Sequence, residues 1–345
     1  FPYTTLFRST NFFLLIVTIS FVFVPVSVLF LLISVNKYIV FSRKHSFFAR
    51  LIQSLSHALL YSFVIFTYFC TTNIFSFGMH KKDKGFYIDF DDYAVYCEQI
   101  IQNASATAPV LVFLHDSWGC VEMWGSFPEA ISRLFGANAL VYDRRGYGKS
   151  SPFAITNRDE FYLHNEAHEL IRLLDALRLN DVIIYGHSDG ATIALLTAAL
   201  YPHRVRALLL EGAHSFIEDS GKAAVLATRE RAKTTSLLTN LEKYHGNKTN
   251  ELFRLWHETW LSDYFSQWSI VPLLKQINCP VLAFQGENDE FGTPAQLEIL
   301  KTEIKTEVTV CEISNAAHTP RKEAETTTMQ LINDWFRHTF GPNLS

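Results

Sequence analysis

The chain has 345 residues, and 48% of them are apolar. Lys and Arg number 30 against 34 Asp and Glu, which gives a net charge of −4. This balance excludes a strongly basic nucleic-acid-binding protein, and the apolar fraction is too high for a polar disordered chain. The length exceeds that of one small domain.

The composition changes at residue 78. Residues 1–78 contain no Asp or Glu and five of the 30 basic residues, so residues 79–345 hold 25 basic and 34 acidic residues, a net charge of −9. Two uncharged apolar runs, Phe12–Val35 and Ala58–Phe77, are each long enough to cross a bilayer as a helix. The loop between them carries four basic residues and would be cytoplasmic, with the rest of the chain across the membrane.

The first nine residues favour a different interpretation. Phe1–Ser9 (FPYTTLFRS) resembles the translated end of a common sequencing adapter, and the first Met of the chain is Met79, at the change in composition. We therefore expect residues 1–78 to be an assembly artefact and the native protein to begin at or near Met79. A membrane contact is expected only if residues 10–77 are genuine, as two N-terminal helices that anchor the protein.

Residues 79–345 alternate short apolar runs with helical patterns. The apolar runs are continuous, as in a parallel sheet that is buried on both faces, so the pattern predicts an α/β fold with a doubly wound, mostly parallel sheet. The predicted hairpin strands are Phe86–Phe90 and Ala94–Ile101, and the predicted core strands are Val110–Leu114, Ala139–Tyr142, Val182–Tyr185, Ala207–Leu210 and Val281–Phe284. The predicted helices lie near Val121–Leu134, Arg158–Leu179, Asp189–Leu200, Gln296–Thr302 and Arg321–Phe340.

The alternation is interrupted over residues 213–278. This segment has helical patterns and holds three of the six Trp residues of the chain. An insert between two core strands predicts a helical cap over an active site, with residues 79–212 and 279–345 forming the core. Packing within a helical excursion would explain most of its aromatic residues equally well.

The sequence Gly186–Gly190 (GHSDG) carries the strongest chemical signal. It follows the predicted strand VIIY directly and opens the helix ATIALLTAAL, which is the setting of a nucleophile elbow. The sharp turn forces strained backbone angles on its central residue, so the flanking glycines are needed for space. We therefore predict that Ser188 is a nucleophile.

A serine hydroxyl needs a base and a group that orients the base. In this setting the order along the chain is Ser, acid, His, and Asp289 and His318 each follow an apolar strand pattern at the right place. The rival acids are Glu211, Glu287 and Asp143, which we expect to be solvated or to cap turns.

An acyl transfer also needs fixed donors for the oxyanion. The backbone N–H of Asp189, at the start of a helix, is one predicted donor. The loop His115–Gly119 (HDSWG) follows the strand VLVFL and is expected to supply the second through the N–H of Ser117. His187 is expected to pack beside the nucleophile and not to act as the base.

Together these motifs, with Tyr142–Ser150 (YDRRGYGKS), resemble those of α/β-hydrolase fold proteins of the esterase-like branch, over roughly residues 85–340. The resemblance implies a cofactor-independent serine hydrolase that cleaves a carboxylic ester or related acyl bond through an acyl-enzyme. Family members commonly have His-Gly where this chain has His115-Asp116, a departure that bears on the position of the second oxyanion donor. The Tyr142–Ser150 loop is structural in the family.

Asp189 bears on the substrate. The sequence GHSDGATIALL is similar to the elbow of valacyclovir-hydrolase-like amino-acid ester hydrolases, in which an acid at this place is thought to engage the α-amino group of the substrate. The competing interpretation is that the Asp189 carboxylate caps the helix. Trp118 and His115, in the predicted oxyanion loop, are the other candidate substrate contacts.

Other functions remain open at this stage. Carbon–carbon bond hydrolases, lactonases and aminopeptidases use the same triad, and an acyl transferase or a non-catalytic ligand receptor can share the fold. His164 and His168 are four residues apart on a helix but lack the other residues of a metal motif, so we expect a solvated face. We expect no metal, cofactor or nucleic acid, and a small-molecule acyl substrate.

The cysteines indicate the compartment. Cys97, Cys120, Cys279 and Cys311 have no CxxC spacing, which is typical of thiols in a reducing environment. No small-residue cleavage site follows a short apolar core, so a cleaved signal peptide is not predicted. The expected location is the cytoplasm.

Overall fold

The computed structural model describes residues 85–102 and 108–341. The adapter-like segment, the two apolar runs and Met79 lie outside these residues, so the interpretation of the leader stays a prediction. Within the described ranges, no helix combines the length and the apolar character needed to cross a bilayer.

Eight strands form one sheet in the order β1-β2-β4-β3-β5-β6-β7-β8. The first two pairings, β1 with β2 and β2 with β4, are antiparallel, and the other neighbours are parallel. The strands are β1 (Gly85–Asp89), β2 (Ala94–Ile100), β3 (Val110–Leu114), β4 (Ala139–Tyr142), β5 (Val182–His187), β6 (Val205–Glu211), β7 (Val281–Gly286) and β8 (Val308–Ile313). The predicted doubly wound, mostly parallel sheet is confirmed.

Ten α-helices lie among the described residues. They are α1 (Phe127–Phe135), α2 (Tyr162–Ala176), α3 (Asp189–Leu200), α4 (Asp219–Ala232), α5 (Leu237–His245), α6 (Thr249–Trp260), α7 (Val271–Leu274), α8 (Ala295–Glu303), α9 (Pro320–Glu323) and α10 (Glu325–Phe340). Helix α3 is apolar on all sides because it is buried throughout, between the sheet and α2. This burial fixes the helix that starts at the predicted elbow.

Two predicted helices are divided in the structure. The segment predicted as Val121–Leu134 begins with a 3₁₀ turn over Val121–Trp124 and reaches α1 only after Gly125, whose φ of +60° ends the turn. The segment predicted as Arg321–Phe340 breaks at Ala324, where φ is −136° and ψ is 51°. Both breaks are single-residue changes in backbone angle that leave the apolar periodicity intact, which is why the sequence pattern does not reveal them.

The centre of the sheet rests on an aromatic cluster. The ring of Tyr185 in β5 lies 5.6 Å from Phe113 in β3 and 5.1 Å from Phe127 in α1, measured between centroids. All three side chains are buried, and aromatic pairs at such distances stabilise beyond their area alone. The cluster gives the strand that ends at the predicted nucleophile a rigid support.

The chain between β6 and β7 contains four helices, α4 to α7, in place of a single crossover helix. This is the segment for which a cap over residues 213–278 was predicted. The boundaries of that cap, and its role, remain a proposal that depends on what its side chains contact.

Candidate active site

Ser188 lies in a sharp turn between β5 and α3. Its φ of 55° and ψ of −120° are strained for a residue with a side chain. A Cβ on Gly186 would lie 2.4 Å from the Gly190 oxygen, and a Cβ on Gly190 would lie 2.1 Å from the Leu114 oxygen. Because these obstacles are backbone atoms that cannot move aside, both positions require glycine. The Ser188 N–H donates to the Glu211 oxygen at 2.8 Å, which ties the turn to the neighbouring strand.

Asp289 and His318 are hydrogen-bonded to each other. His318 Nδ1 lies 2.9 Å from both carboxylate oxygens of Asp289, and the Phe291 N–H donates to Asp289 Oδ1 at 2.9 Å. A carboxylate only accepts, so Nδ1 carries the proton and Nε2 is left as the base. The loop after β7 and the loop after β8 thus bring together the predicted acid and the predicted base.

Gly212, just after β6, makes room for this pair. Its φ is +59°, and a Cβ there would lie 2.9 Å from His318 Cε1 and 3.5 Å from Asp289 Oδ2. Gly212, which directly follows β6, therefore borders the Asp289–His318 pair. A glycine directly after an apolar strand was the only sequence signal for this role.

The environment of the pair shifts both pKa values. Burial opposes the charged imidazolium, but the hydrogen bond and negative charge of Asp289 outweigh it and raise the pKa of His318 above its ordinary value. Burial likewise favours the neutral form of Asp289, yet His318 holds the pKa of Asp289 below its usual range. A raised pKa makes the neutral His318 ring a stronger acceptor for the proton of a hydroxyl group.

The rival acid Glu211 is occupied by a different partner. Its side chain is fully buried and accepts the Arg321 backbone N–H at 2.9 Å, Arg321 Nη1 at 2.5 Å and the Tyr185 hydroxyl at 2.9 Å. Burial would raise the pKa of Glu211, but the Arg321 charge and hydrogen bonds lower it. This carboxylate fastens the start of α9 to the end of β6 and does not face His318 as a partner.

The other two rival acids serve loops. Asp143 accepts the backbone N–H groups of Val121, at 2.6 Å, and Lys149, at 2.7 Å. Glu287 accepts the Asn315 N–H at 3.3 Å. Neither carboxylate forms a hydrogen bond with a histidine among the described residues.

The loop after β3 holds itself together through its own polar groups. His115 Nδ1 donates to the Asp116 oxygen at 2.8 Å, and His115 Nε2 accepts the Arg144 backbone N–H at 3.1 Å. Asp116 Oδ1 accepts the Trp118 N–H at 2.8 Å. Burial keeps the pKa of His115 well below its ordinary value, so the ring is neutral. Since one ring nitrogen bonds within the loop and the other bonds to Arg144 after β4, His115 is placed as a scaffold residue.

The two predicted oxyanion donors are available. In residues 85–102 and 108–341, neither the Ser117 N–H nor the Asp189 N–H is engaged by another protein group. Ser117 lies in the turn after His115 and Asp116, and Asp189 is the first residue of α3. Their assignment as an oxyanion hole stays a prediction.

His187 makes two hydrogen bonds that the sequence did not predict. Its Nδ1 lies 3.1 Å from Asp116 Oδ2, and its Nε2 lies 2.8 Å from the backbone oxygen of His318. The side chain therefore connects the loop after β3 with the loop that carries His318. Its partners are 71 and 131 residues away along the chain, too far for a local sequence signal.

The side chain of Asp189 is fully buried and does not cap α3. Its carboxylate lies 3.4 Å from the Tyr162 hydroxyl, which in turn accepts the Trp260 indole N–H at 3.0 Å. Burial opposes the charge of the nearby Arg158, but neighbouring groups that include Asp189 raise the pKa of Arg158. Asp189 thus belongs to a buried polar cluster beside the elbow.

Aromatic side chains from α6 reach the site. Trp256 packs edge-on against Trp118 at 4.5 Å between ring centroids, and it lies 6.5 Å from Phe291. Phe291 lies 4.8 Å from the ring of His318. Helix α6 therefore contacts the loop after β3 directly and approaches His318 through Phe291, which lies in the loop after β7.

The residues considered for metal binding are not arranged for it. His168 Nδ1 lies 2.7 Å from the Tyr201 hydroxyl, on an exposed part of α2. Over the described ranges, no group of three or more His, Cys, Asp or Glu side chains stands close enough to hold a metal ion.

A cavity of about 410 Å³ lies beside the site and not in it. It opens between β2, the end of β4 and α2, and the triad does not line it. Arg144, Arg158 and Tyr162 form its inner side, next to the buried cluster around Asp189. Ser188, Asp289 and His318 are not among the residues that line this cavity.

Comparison with known proteins relates this chain to the α/β hydrolase fold. A family model described as the alpha/beta hydrolase fold matches residues 109–235. The human protein named serine hydrolase BPHL is 29% identical over 160 residues, which are 44% of this chain and 53% of the human protein. An epoxide hydrolase from Caballeronia sordidicola is 34% identical over 103 residues, 29% of this chain and 30% of that protein. The chain thus spans about half the length or less of these curated relatives.

Solved structures match over a longer part of the chain. A structure of the carboxylesterases of the ammonia-oxidizing thaumarchaeon Nitrososphaera gargenis has a TM-score of 0.61 at 18% identity, and the match covers 73% of this chain and 98% of that one. An enzyme that degrades N-acyl homoserine lactones, Est816, matches with a TM-score of 0.56 at 20% identity over 72% of this chain and 99% of that one. At such identities the matches establish the architecture.

Proposed function

From the α/β hydrolase fold that this chain has, we propose that it is a serine hydrolase that cleaves a carboxylic ester or related acyl bond. The observation that carries the proposal is the hydrogen-bonded pair of Asp289 and His318 in the loops after β7 and β8, with the His318 carbonyl 2.8 Å from His187, the residue before the serine in the strained turn. The order Ser188, Asp289, His318 along the chain supports it.

Each step of the reaction has a residue to perform it. Ser188 Oγ attacks the acyl carbon while His318 Nε2 takes its proton, and Asp289 stabilises the imidazolium that forms. The backbone N–H groups of Ser117 and Asp189 are free to donate hydrogen bonds to the oxyanion. The leaving alcohol takes the proton from His318, which leaves an acyl group on Ser188. Water then attacks the acyl carbon while His318 takes a proton from it. His318 returns this proton to Ser188 Oγ as the acid product leaves.

The aromatic side chains around the site support a substrate with an apolar part. Trp118 packs against Trp256, which lies near Phe291, and Phe291 lies 4.8 Å from the ring of His318. We propose that these helices form the cap, with Trp118 in contact with the substrate. Rings in this position would also shield the apolar part of the substrate from bulk water.

The relatives favour ester chemistry over epoxide opening. Epoxide hydrolases resemble this chain but use an aspartate nucleophile, whereas the turn here presents Ser188. Human BPHL is named a serine hydrolase, and one structural match is a set of carboxylesterases. Lactonases, aminopeptidases and carbon–carbon bond hydrolases remain alternatives on the same triad.

A panel of chromogenic esters of varied acyl length tests the proposal. The full-length protein is expected to cleave at least one member, and Ser188→Ala is expected to lose that activity while it keeps its thermal melting profile. Cleavage by Ser188→Ala at the wild-type rate would refute the proposal. Failure of folded wild type to react with any ester or with a fluorophosphonate probe would favour the competing proposal, a non-catalytic ligand receptor.

Amino-acid esters form a narrower class that Asp189 would select if its carboxylate met the substrate's amino group. The setting of Asp189 argues against that role, because the side chain is fully buried and already lies against Tyr162 and near Arg158. We propose that Asp189 stabilises the elbow from its buried side, through its contact with Tyr162. Asp189→Ala should therefore lower activity on acetyl and aminoacyl esters by the same factor, and a selective loss on aminoacyl esters would restore the amino-binding role.

A further inference from the structure

His187, the residue before the nucleophile, has an oxygen acceptor at each ring nitrogen. Nδ1 faces the Asp116 carboxylate at 3.1 Å, and Nε2 faces the backbone carbonyl of His318 at 2.8 Å. The side chain is only 3% exposed, so water cannot stand in for either partner. Both contacts must be satisfied inside the protein.

With Asp116 ionised, only one protonation state of His187 satisfies both contacts. A neutral imidazole has one N–H and one lone pair, so one nitrogen would point its lone pair at an oxygen lone pair. The imidazolium has two N–H groups and donates to both oxygens. Burial would raise the pKa of Asp116, but its hydrogen bond with His187 holds the pKa well below its usual range, so the carboxylate is ionised and can only accept.

The charges around His187 also call for a cation. The ring is faced by the carboxylate of Asp116 from the loop after β3, by Glu211 from the end of β6 and, at 5.1 Å between centroids, by the ring of His318. Two of the neighbouring carboxylates already have partners: Glu211 is paired with Arg321, and Asp289 is paired with His318. The ammonium of the exposed Lys322 acts on Asp116 from the surface. Asp116 has no other salt-bridge partner among the described residues, and a charged His187 balances it.

We infer that His187 is a positioning residue whose imidazolium form fastens the oxyanion loop, through Asp116, to the loop of the catalytic base, through the His318 carbonyl. The inference rests on the proposed function and deepens it. The oxyanion donor Ser117 directly follows Asp116, and the base His318 supplies the second contact. One side chain therefore sets the distance between the two parts of the machinery that act on opposite sides of the acyl carbon.

Two other buried histidines provide an internal contrast. His245 Nδ1 accepts the Gly148 N–H at 2.9 Å while its Nε2 donates to the Trp118 oxygen at 2.7 Å. His115 has the same combination of one accepted and one donated hydrogen bond. A neutral ring satisfies both of these residues, and burial lowers the pKa of each. His187 differs from them because neither of its partners is a donor.

Nitrogen-15 NMR of the histidine rings in the full-length protein tests the protonation state without requiring catalysis. At neutral pH, His187 should show two protonated ring nitrogens, whereas His115 and His245 should each show one. The ring resonances that are missing from the spectrum of His187→Gln are those of His187. In Asp116→Asn, the amide can donate to Nδ1, so His187 should become neutral with one N–H. A single N–H on His187 in the wild-type protein would overturn the inference.

Kinetics test the positioning role. His187→Gln and Asp116→Asn should each lower kcat by about 10- to 100-fold with little change in KM. Each variant misplaces the oxyanion donor and the base but leaves the groups that bind the substrate unchanged. The double variant should be no slower than the slower single variant, because both changes break the same connection. His168→Gln, on the exposed face of α2, is the control and should keep wild-type kcat.

The two proposals fail separately. An unchanged kcat in folded His187→Gln, or independent losses that multiply in the double variant, would overturn the positioning role. If wild-type Ser188 does not react with a fluorophosphonate probe, the proposed hydrolase function fails, while the NMR result on His187 still decides its charge.

Discussion

A buried ion pair between Glu211 and Arg321 anchors the chain next to the loop that carries His318. Replacing Glu211 with Gln tests the contribution of this pair to stability. The substitution preserves the side-chain shape and removes the charge that Arg321 faces at 2.5 Å, in a site where Glu211 is fully buried and Arg321 is 6% exposed. One amide oxygen cannot accept all three hydrogen bonds that the carboxylate accepts from Arg321 and Tyr185. Leaving an arginine buried without its partner costs about 3–5 kcal/mol. Glu211→Gln should therefore lower the free energy of unfolding by about that amount.

Urea denaturation of the full-length protein at neutral pH measures this loss. Glu129→Gln, which removes an exposed partner of Arg133, is the matched control and should cost less than about 1 kcal/mol. Adding Arg321→Met to Glu211→Gln removes the orphaned charge and should recover a large part of the loss. A loss below about 1 kcal/mol for Glu211→Gln, or no recovery in the double variant, would refute the reasoning.

The same pair gives a pH signature. The pKa of Glu211 is lower in the folded protein than in the unfolded chain, so the pair stabilises the fold above the unfolded value of about 4.3. That stabilisation is lost as the pH falls through the folded value. The difference in unfolding free energy between wild type and Glu211→Gln should therefore shrink in acid, and a constant difference down to strong acid would contradict the assignment.

Two further predictions concern the Asp289–His318 pair and the elbow at Ser188. The base must be neutral to act, and Asp289 raises the pKa of His318, so wild-type kcat/KM should fall in acid with a midpoint above the ordinary histidine value of about 6.5. Asp289→Asn should move that midpoint to lower pH and reduce kcat by about 10³- to 10⁴-fold, and a wild-type midpoint well below that of free histidine would argue against the pair. Gly190→Ala places a Cβ 2.1 Å from the Leu114 oxygen and should destabilise the fold by about 3 kcal/mol or more in a thermal melt. Gly292→Ala, where the nearest atom is a side-chain carbon at 3.4 Å, is its control, and equal effects of the two would show that the turn is not constrained as described.

The elbow could be predicted because its constraints are local. A buried strand, two glycines four residues apart and an apolar helix follow one another without interruption in the sequence. The strained φ of 55° at Ser188 and the close backbone approach at Gly190 are consequences of that succession. The alternation of strands and helices likewise gave the sheet, because continuous apolar runs are typical of strands covered on both faces.

The connections between loops could not be predicted. His187 was expected to pack, since nothing near it in sequence indicates that its partners are the Asp116 carboxylate and the His318 carbonyl. The partner of Glu211 is 110 residues away, so a buried ion pair and a solvated acid looked alike in sequence. Such contacts depend on which loops meet at the carboxyl edge of the sheet, and they appear only after the strand order is known.

Asp189 shows how burial decides between interpretations of one residue. The sequence allowed a helix cap or a contact with a substrate amino group, because either role suits an acid directly after a nucleophile. The side chain turns away from the backbone N–H groups of α3 and lies against Tyr162, a residue of α2. The position of α2 relative to α3 is a tertiary property, so no local pattern contains it.

Covalent labelling of Ser188 tests the central claim most directly. Full-length protein treated with a fluorophosphonate probe should take up one probe per chain, on the peptide that contains Ser188, as read by mass spectrometry. Ser188→Ala should take up none there, and His318→Gln should label far more slowly although it is folded. Ester cleavage that persists in Ser188→Ala, or an unlabelled Ser188 in folded wild-type protein, would contradict the account.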